Sequence, residues 1–252
     1  MKLIWTYDSK MSKGDDNSKN RIILINYYIH SILTAKKFGY ECIIYCDSDS
    51  VNYFNTIVDD LIIVDSYENS IIWDYMKVKV LEDRDDEFYL IDGDVILHGI
   101  LPNPITDIMF DTYETANWKD EYAYTSKQLE DLGIQNIIPY WSSERIPVIS
   151  TGVFYMKPSY RNEYVLEFKK CNSFINEMKS TNEFHKDYIS LVGGQYLLSL
   201  FIKNSGLSIT KFNSNMGDTG MYYTHHFGKT KFKNPLVSSD NIIDLTINKN
   251  LI

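Results

Sequence analysis

The chain has 252 residues, of which 44% are apolar and 23% are charged, and these values are ordinary for a globular protein. Its 34 acidic and 25 basic residues give a net charge of −9, which disfavours nucleic acid as a partner because such a surface needs clustered Lys and Arg. No stretch approaches the roughly 18 consecutive apolar residues that cross a bilayer, so we expect no transmembrane segment. The three cysteines have no CxxC spacing, which excludes a zinc motif and indicates a reducing, cytoplasmic environment.

Strand-like and helix-like segments alternate in the first part of the chain. Apolar runs predict strands at 3–7, 41–47, 61–66 and 87–97, and helical apolar spacing predicts helices at 21–37 and 71–82. The run at 87–97 has the strongest strand character in the chain. The resulting β-α-β-β-α-β order predicts a mainly parallel sheet with helices on its faces.

The second part of the chain is less regular. Its predicted elements are a helix at 125–133, a strand at 147–158, two helices at 160–178 and 182–203, and strand-like segments at 207–213 and 221–228. No Pro- or Ser-rich linker separates the two parts. We therefore expect a single α/β domain over residues 1–252, made of a first half at 1–97 and a second half at 98–252.

Two aspartates end the strongest predicted strand. Alternate residues of a strand point to the same face, so Asp92 and Asp94 are placed to converge on one divalent cation, while Gly93 allows a ligand close to the backbone. Ligands bind at the carboxyl ends of the strands in open α/β sheets, and carboxylates suit Mg²⁺ or Mn²⁺. The alternative is a polar turn that simply ends a strand.

A second cluster follows the last strand-like segment and contains His225, His226, Gly228 and Lys231. Histidine is the commonest nitrogen ligand of metals, and lysine binds phosphate as a point charge. Adjacent residues of a strand face opposite sides, so only one of the two histidines reaches a given ion. The alternative is a solvated basic loop with two surface histidines.

Together the two clusters resemble motifs of the GT-A-fold glycosyltransferases, in particular glycosyltransferase family 8, the glycogenin and galactosyltransferase-like group. Residues 89–94 are similar to that family's apolar-apolar-Asp-x-Asp motif, and the second cluster matches its His-x-x-Gly-x-x-Lys motif in register. The resemblance implies that three residues bind Mn²⁺ or Mg²⁺ and that two hold the diphosphate of a nucleotide sugar: Asp92, Asp94 and His225 for the cation, and Gly228 and Lys231 for the diphosphate.

Weaker matches extend the resemblance over residues 3–231. It implies that one of Lys77 and Lys79 contacts the donor; in a helix the two point in different directions, so only one faces the site. The residues Thr6 and Tyr7 match the positions that read uracil. The resemblance further implies sugar or acceptor binding by Gly93, Thr151, Gly152 and Gln195, with Gln195 and Lys77 as candidate catalytic residues. Next to Gln195, Gly194 stands where the family has an aspartate.

The resemblance implies a GT-A-like domain with a Rossmann-like mixed, mainly parallel sheet flanked by helices. Residues 1–97 are then the nucleotide-binding half, and 98–252 carry the acceptor side and the C-terminal phosphate-binding segment. The implied reaction moves a sugar from a nucleotide-diphosphate sugar, a UDP-sugar, to a hydroxyl of an acceptor of unidentified class, with retention of configuration.

Three alternatives accompany this hypothesis. The first is a protein of the same fold that binds a nucleotide sugar or a glycan without turnover, because the aspartate next to Gln195 is missing. A haloacid-dehalogenase-type phosphohydrolase also has an Asp-x-Asp motif, but on its first strand, whereas Asp92 follows three earlier predicted strands. A transferase acting on modified DNA is disfavoured by the charge of −9.

Overall fold

The structure is a computed structural model that describes residues 1–9, 18–64, 72, 74–114, 119–179, 182, 184, 186–214 and 220–226. The described residues contain nine strands. In chain order they are β1 (Lys2–Tyr7), β2 (Glu41–Cys46), β3 (Asp60–Ile63), β4 (Phe88–Ile91), β5 (Val95–Leu97), β6 (Ile108–Phe110), β7 (Val153–Met156), β8 (Ile209–Lys211) and β9 (Tyr223–His225).

Seven of these strands form one mixed, mostly parallel sheet in the order β3-β2-β1-β4-β7-β6-β8. The first four strands in that order are parallel to one another, as the alternation of strands and helices predicts. Strand β7 runs antiparallel to both of its neighbours, and β8 is parallel to β6. The carboxyl ends of β1, β2 and β4 therefore meet at one edge of the sheet, where a ligand site is expected.

Seven α-helices lie in the described part of the chain. They are α1 (Ser18–Lys37), α2 (Val51–Phe54), α3 (Tyr75–Asp83), α4 (Lys119–Asp131), α5 (Pro158–Met178), α6 (Lys186–Leu191) and α7 (Leu197–Ser205). Helix α5 begins at Pro158, whose fixed φ suits a first helical turn. Helix α7 is followed by its C-cap residue Gly206, which adopts a left-handed φ of 62° that favours glycine. No described helix has the length and apolar character needed to cross a membrane.

The sheet is covered on both faces. Side chains of β1 alternate between them, so that Leu3 and Trp5 join the apolar core formed with α1, whereas Ile4 joins the core formed with α3, α5 and α7. Cys42, Cys46 and Cys171 are buried, and none of them forms a disulfide bond within the described residues. The layered α/β architecture predicted from the sequence is confirmed by this arrangement.

The predicted strand over 87–97 is wrong in one respect, because the structure divides it into β4 and β5. A turn at 92–94 separates them, in which the Val95 N–H donates to the Asp92 carbonyl at 3.1 Å. Strand β5 leaves the main sheet and pairs antiparallel with β9, with Val95 opposite His225. The apolar pattern continues through both strands, so it could not reveal the change of partner. This division brings β9, and with it His225, beside the turn.

Smaller differences lie in the second half. Strand β6 was not predicted, because three residues are too few for a periodic pattern. The predicted helix over 182–203 is observed as α6 and α7 joined by a π-helical turn at Val192–Tyr196. Helix α4 begins before the predicted position 125. The residues from 227 onward lie outside the described part of the chain.

Candidate functional site

Three predicted metal ligands converge at the carboxyl end of β4. Asp92 and Asp94 flank the turn after this strand, and His225 is the last residue of β9. One ligand atom of each side chain lies within 4.8 Å of the corresponding atoms of the other two. The turn after β4 brings the two carboxylates together. The sequence-based explanation, that alternate residues of one strand point to the same face, is therefore wrong. Two carboxylate oxygens suit Mn²⁺ or Mg²⁺, and the imidazole nitrogen favours a first-row transition ion such as Mn²⁺ over Mg²⁺.

Two carboxylates hold the His225 ring. Its Nδ1 lies 2.6 Å from Asp111 Oδ2, and its Nε2 lies 3.2 Å from Asp94 Oδ1. The residue is only 5% exposed, and this burial by itself lowers the pKa of His225. The charges of Asp94 and Asp111 outweigh the burial and raise the pKa to about 10. The imidazole is thus oriented in a strongly negative surrounding.

Asp111 is itself fixed in place. It follows β6, is fully buried, and its Oδ1 accepts hydrogen bonds from the Tyr223 hydroxyl at 2.8 Å and from Asn213 Nδ2 at 3.0 Å. Its remaining oxygen faces His225. A carboxylate that orients a metal-binding histidine in this way normally sets which ring nitrogen faces the ion.

Gly152 leaves room for the His225 ring. A Cβ at position 152 would lie 2.2 Å from two atoms of the imidazole, which is too short for any real contact. The neighbouring His226 lies outside the cluster. Its ring packs against Tyr27 with centroids 5.4 Å apart, and its backbone N–H donates to the Asp94 carbonyl at 3.0 Å. The structure therefore brings His225, rather than His226, to the two aspartates.

Helix α3 points Lys77 toward this cluster. The Lys77 Nζ lies 2.7 Å from Asp92 Oδ1 and donates a hydrogen bond of 2.8 Å to Thr151 Oγ1. Burial lowers the pKa of Lys77, but Asp92 and Asp74 more than offset it, so the pKa is raised. Lys79 lies on another side of the helix and pairs with Glu82 and Asp83. Of the two candidate lysines, Lys77 faces the cluster.

Gln195 lies in the π-helical turn, where its Oε1 accepts a hydrogen bond from the Tyr122 hydroxyl at 3.0 Å. Gly194 beside it packs against the carboxylate of Asp74, which also lies 3.6 Å from Lys77 Nζ. Asp74 and Lys77, at the start of α3, therefore connect the π-helical turn to Asp92. The catalytic or sugar-binding role of Gln195 stays a prediction.

Thr6 and Tyr7, the residues predicted to contact uracil, are largely covered by other side chains. Tyr7 is 2% exposed, and its ring lies 5.0 Å from that of Tyr28 and 5.3 Å from that of Phe54. Thr6 is partly buried and accepts the Tyr28 hydroxyl on its carbonyl at 2.8 Å. A Cβ at Gly93 would lie 2.1 Å from the Tyr28 ring, so this glycine is required by packing on that side. Gly228 and Lys231 lie outside the described residues.

Several charged residues of the site escaped the sequence analysis, namely Asp74, Asp111 and Glu114. Burial is the main reason that the pKa of Glu114 is raised to about 7; His225 opposes this, and Asp111 and Asp92 add to it. An acidic residue directly after the apolar triplet 108–110 was the only sequence signal for Asp111. With Asp92 and Asp94, the described part of the site has five carboxyl groups against one lysine and one histidine. This surplus favours a bound cation.

No protein-family model matches the chain, and no curated protein matches it significantly. The solved structures with a similar fold include the following three. The galactosyltransferase LgtC, crystallised with donor and acceptor sugar analogs, has 11% identity and a TM-score of 0.40 over 76% of this chain and 70% of its own. The glycosyltransferase GlyE of Streptococcus pneumoniae TIGR4 has 9% identity and a TM-score of 0.45 over 93% and 50%. The inositol-1-phosphate CTP transferase of T. maritima has 11% identity and a TM-score of 0.43 over 83% and 84%.

These likenesses are too weak to assign a family, a substrate or a reaction to this chain. Membership of glycosyltransferase family 8 stays a prediction that rests on the two motifs. The arrangement of residues around β4 is the stronger guide to function.

Proposed function

We propose that this chain transfers a sugar from a nucleotide-diphosphate sugar to a hydroxyl of an acceptor, with the help of a divalent cation held by Asp92, Asp94 and His225. One observation carries the proposal. Asp92 and Asp94 of one motif and His225 of the other, more than 100 residues apart in the chain, converge at the carboxyl edge of a mostly parallel sheet, with ligand atoms within 4.8 Å of one another. Such an edge is where α/β proteins bind nucleotides.

The residues present fit a hard divalent cation. Carboxylate oxygens suit Mn²⁺ or Mg²⁺, the imidazole nitrogen favours Mn²⁺, and an ion with two positive charges would balance the surplus of carboxylates. Asp111 fixes the ring of His225, with Nδ1 engaged and Nε2 turned toward Asp94. Gly152 keeps the space for that ring. The ligands are therefore held in place by the fold and need little rearrangement.

The difficult step in sugar transfer is departure of the nucleotide diphosphate. The bond from the anomeric carbon to the diphosphate oxygen breaks with its electron pair left on the departing diphosphate, a bond to the acceptor oxygen forms, and the acceptor proton passes to that diphosphate or to solvent. A divalent cation supplies Lewis-acid stabilisation of the charge that builds on the diphosphate. The Lys77 ammonium beside Asp92 adds positive charge in the same region.

The finer features follow from the motif resemblance. We propose a UDP-sugar as donor, Mn²⁺ as the cation, and retention of the anomeric configuration. Gly228 and Lys231 are proposed to bind the diphosphate, and Thr6 to contact the base. Gln195 is proposed to position the transferred sugar, because its carboxamide is held by Tyr122 at 3.0 Å rather than placed as a nucleophile.

Thermal unfolding with a panel of nucleoside diphosphates and their sugars, each with Mn²⁺ and with EDTA, tests the donor site. A ligand at 100 times its dissociation constant stabilises the native state by about 2.7 kcal/mol. We expect a shift with UDP or a UDP-sugar that disappears in EDTA and in Asp94→Asn. Absence of any nucleotide-dependent shift would overturn the proposal.

The two lysines of α3 provide a matched pair for the same experiment. Lys77→Ala should weaken Mn²⁺-dependent UDP binding, whereas Lys79→Ala, on the same helix but paired with Glu82 and Asp83, should leave it unchanged. Release of UDP from a UDP-sugar, followed chromatographically with acceptor mixtures, then tests turnover. Binding without any UDP release would favour the non-catalytic alternative.

A further inference from the structure

One mostly buried carboxylate near the cluster has no part in the proposed function. Asp74 occupies the N-cap position of α3, where an aspartate usually accepts a hydrogen bond from a backbone N–H of the first turn. Within the described residues its side chain makes no such capping bond. One oxygen is turned toward Lys77, with Oδ1 at 3.6 Å from Nζ. A good local capping residue is therefore used for a tertiary contact.

Gly194 provides the space for that carboxylate. A Cβ at position 194 would lie 2.3 Å from Asp74 Oδ2 and 3.0 Å from its Cγ. No real side chain can approach so closely, so any residue other than glycine would displace the carboxylate. Gly194 is also the position at which the resemblance expects an aspartate. A carboxylate does lie beside position 194, but it belongs to Asp74, the N-cap residue of α3.

The Lys77 ammonium is shared between two carboxylates. Its Nζ lies 2.7 Å from Asp92 Oδ1 and 3.6 Å from Asp74 Oδ1, and its side chain is only 14% exposed. An ammonium in such a position needs compensating negative charge. If Asp92 supplied all of it, a predicted cation ligand would be neutralised by a lysine.

We propose that Asp74 is a positioning residue of the cation site: its carboxylate, seated against Gly194, balances the Lys77 ammonium and so leaves Asp92 able to bind a divalent cation. Asp74 has this role only if the proposed function is correct, and it acts through Lys77 without touching the cation. Loss of its charge leaves Lys77 paired with Asp92, and a cation must then compete with the ammonium.

The affinity for Mn²⁺ alone, measured by calorimetry on the full chain without nucleotide, tests this role. Asp74→Asn keeps the shape of the side chain and its capping ability, and we expect it to weaken Mn²⁺ binding by about tenfold, as loss of a supporting partner of a ligand does. In a Lys77→Met background the same substitution should change the affinity by less than about twofold, because no ammonium remains to be redistributed. Lys79→Met is the control and should bind as the wild type does.

An exchange of the two positions tests the fit between Asp74 and Gly194. Gly194→Asp alone should lower the melting temperature, because two carboxylates are forced together. Asp74→Gly alone should fold, since glycine is an acceptable N-cap, but should lose Mn²⁺ affinity. The double variant returns one carboxylate to the shared space, so its melting temperature and Mn²⁺ affinity should move back toward those of the wild type.

The outcomes separate the two proposals. Equal losses of affinity from Asp74→Asn with and without Lys77, or wild-type affinity in Asp74→Asn, would overturn the role of Asp74 and leave the proposed function standing. A double exchange variant as unstable as Gly194→Asp alone would overturn the fit of the pair. No Mn²⁺ binding by the wild-type protein would overturn the cation site and the role of Asp74 together.

Discussion

The two ends of β4 both carry buried charged groups, and they differ in how that charge is balanced. At the amino end, Arg161 is 1% exposed and donates hydrogen bonds to three carbonyls: Met156 at 2.9 Å, Arg84 at 2.9 Å and Asp86 at 2.7 Å. Its guanidinium also lies 4.1 Å from the centre of the Phe88 ring. Three carbonyls thus accept hydrogen bonds from Nε and Nη1 of this guanidinium, which joins α5 to the start of the strand, while its Nη2 has no hydrogen-bond partner among the described residues.

At the carboxyl end, negative groups outnumber positive ones. The described residues place five carboxyl groups near Lys77 and His225, and burial and neighbouring carboxylates raise the pKa of Glu114 to about 7. Crowding of this kind costs stability when nothing balances it. At the amino end the hydrogen bonds of one cation to three backbone carbonyls stabilise the fold, whereas the surplus of carboxyl groups at the carboxyl end is suited to binding a ligand of opposite charge. Substitutions at the two ends should therefore have different consequences.

The largest expected effect on stability is at the amino end. Arg161→Met leaves three carbonyls without the donor that they share, and we expect a loss of about 3 kcal/mol in the free energy of unfolding, measured by urea denaturation. Lys170→Met on the same helix removes only an exposed pair with Glu167 and should cost less than about 1 kcal/mol. Mn²⁺ binding by the folded Arg161 variant should be unchanged. Equal stability of the two variants would contradict the comparison.

At the carboxyl end, Gly152→Ala should affect binding and stability together. The new Cβ would lie 2.2 Å from the His225 ring, so the buried imidazole must move away from its partners. We expect loss of Mn²⁺ binding and a destabilisation of about 1–3 kcal/mol. The control is Gly99→Ala, where the nearest atom would be 3.3 Å away. Retained Mn²⁺ affinity in Gly152→Ala would show that His225 is not a ligand.

The pH dependence of stability should reveal Glu114. Its raised pKa means that the folded protein holds a proton which the unfolded chain releases from about pH 4.5, so stability should fall as the pH rises from 4.5 through about 7. In EDTA, Glu114→Gln should be more stable than the wild type by on the order of 2 kcal/mol above pH 7 and equal to it below pH 4.5. Glu163→Gln, an exposed change of the same chemistry on α5, is the matched control.

The smallest effect is expected from Asp86 at the amino end of β4. Its contribution to stability changes with pH in the opposite direction to that of Glu114. Its hydrogen bond from Arg84, followed by that from Lys2, lowers the pKa of Asp86 to about 2. The carboxylate therefore stabilises the fold above about pH 4, and this contribution is lost as the pH falls through about 2. The side chain is 37% exposed, so Asp86→Asn should cost less than about 1 kcal/mol at pH 7, and less still in high salt. A large, salt-insensitive cost would contradict this view.

Local pattern was enough to predict much of the molecule. The strands β1, β2 and β3 were found from apolar runs, because the sheet is covered on both faces, and the helices α1 and α5 were found from helical apolar spacing, because each buries one side on the sheet. The identity of the three candidate ligands followed from two short motifs. Both are properties of contiguous residues, which is the information that a single sequence carries.

The tertiary structure decided how distant residues meet. It divided the predicted strand at Asp92, since the second part pairs with β9 instead of the main sheet. It turned Lys77 rather than Lys79 toward the cluster, placed Asp111 behind His225, and seated Asp74 in the space left by Gly194. None of these contacts has a sequence period, because each joins segments far apart in the chain. They are set by the packing of helices on a shared sheet, and the sequence alone does not display that packing.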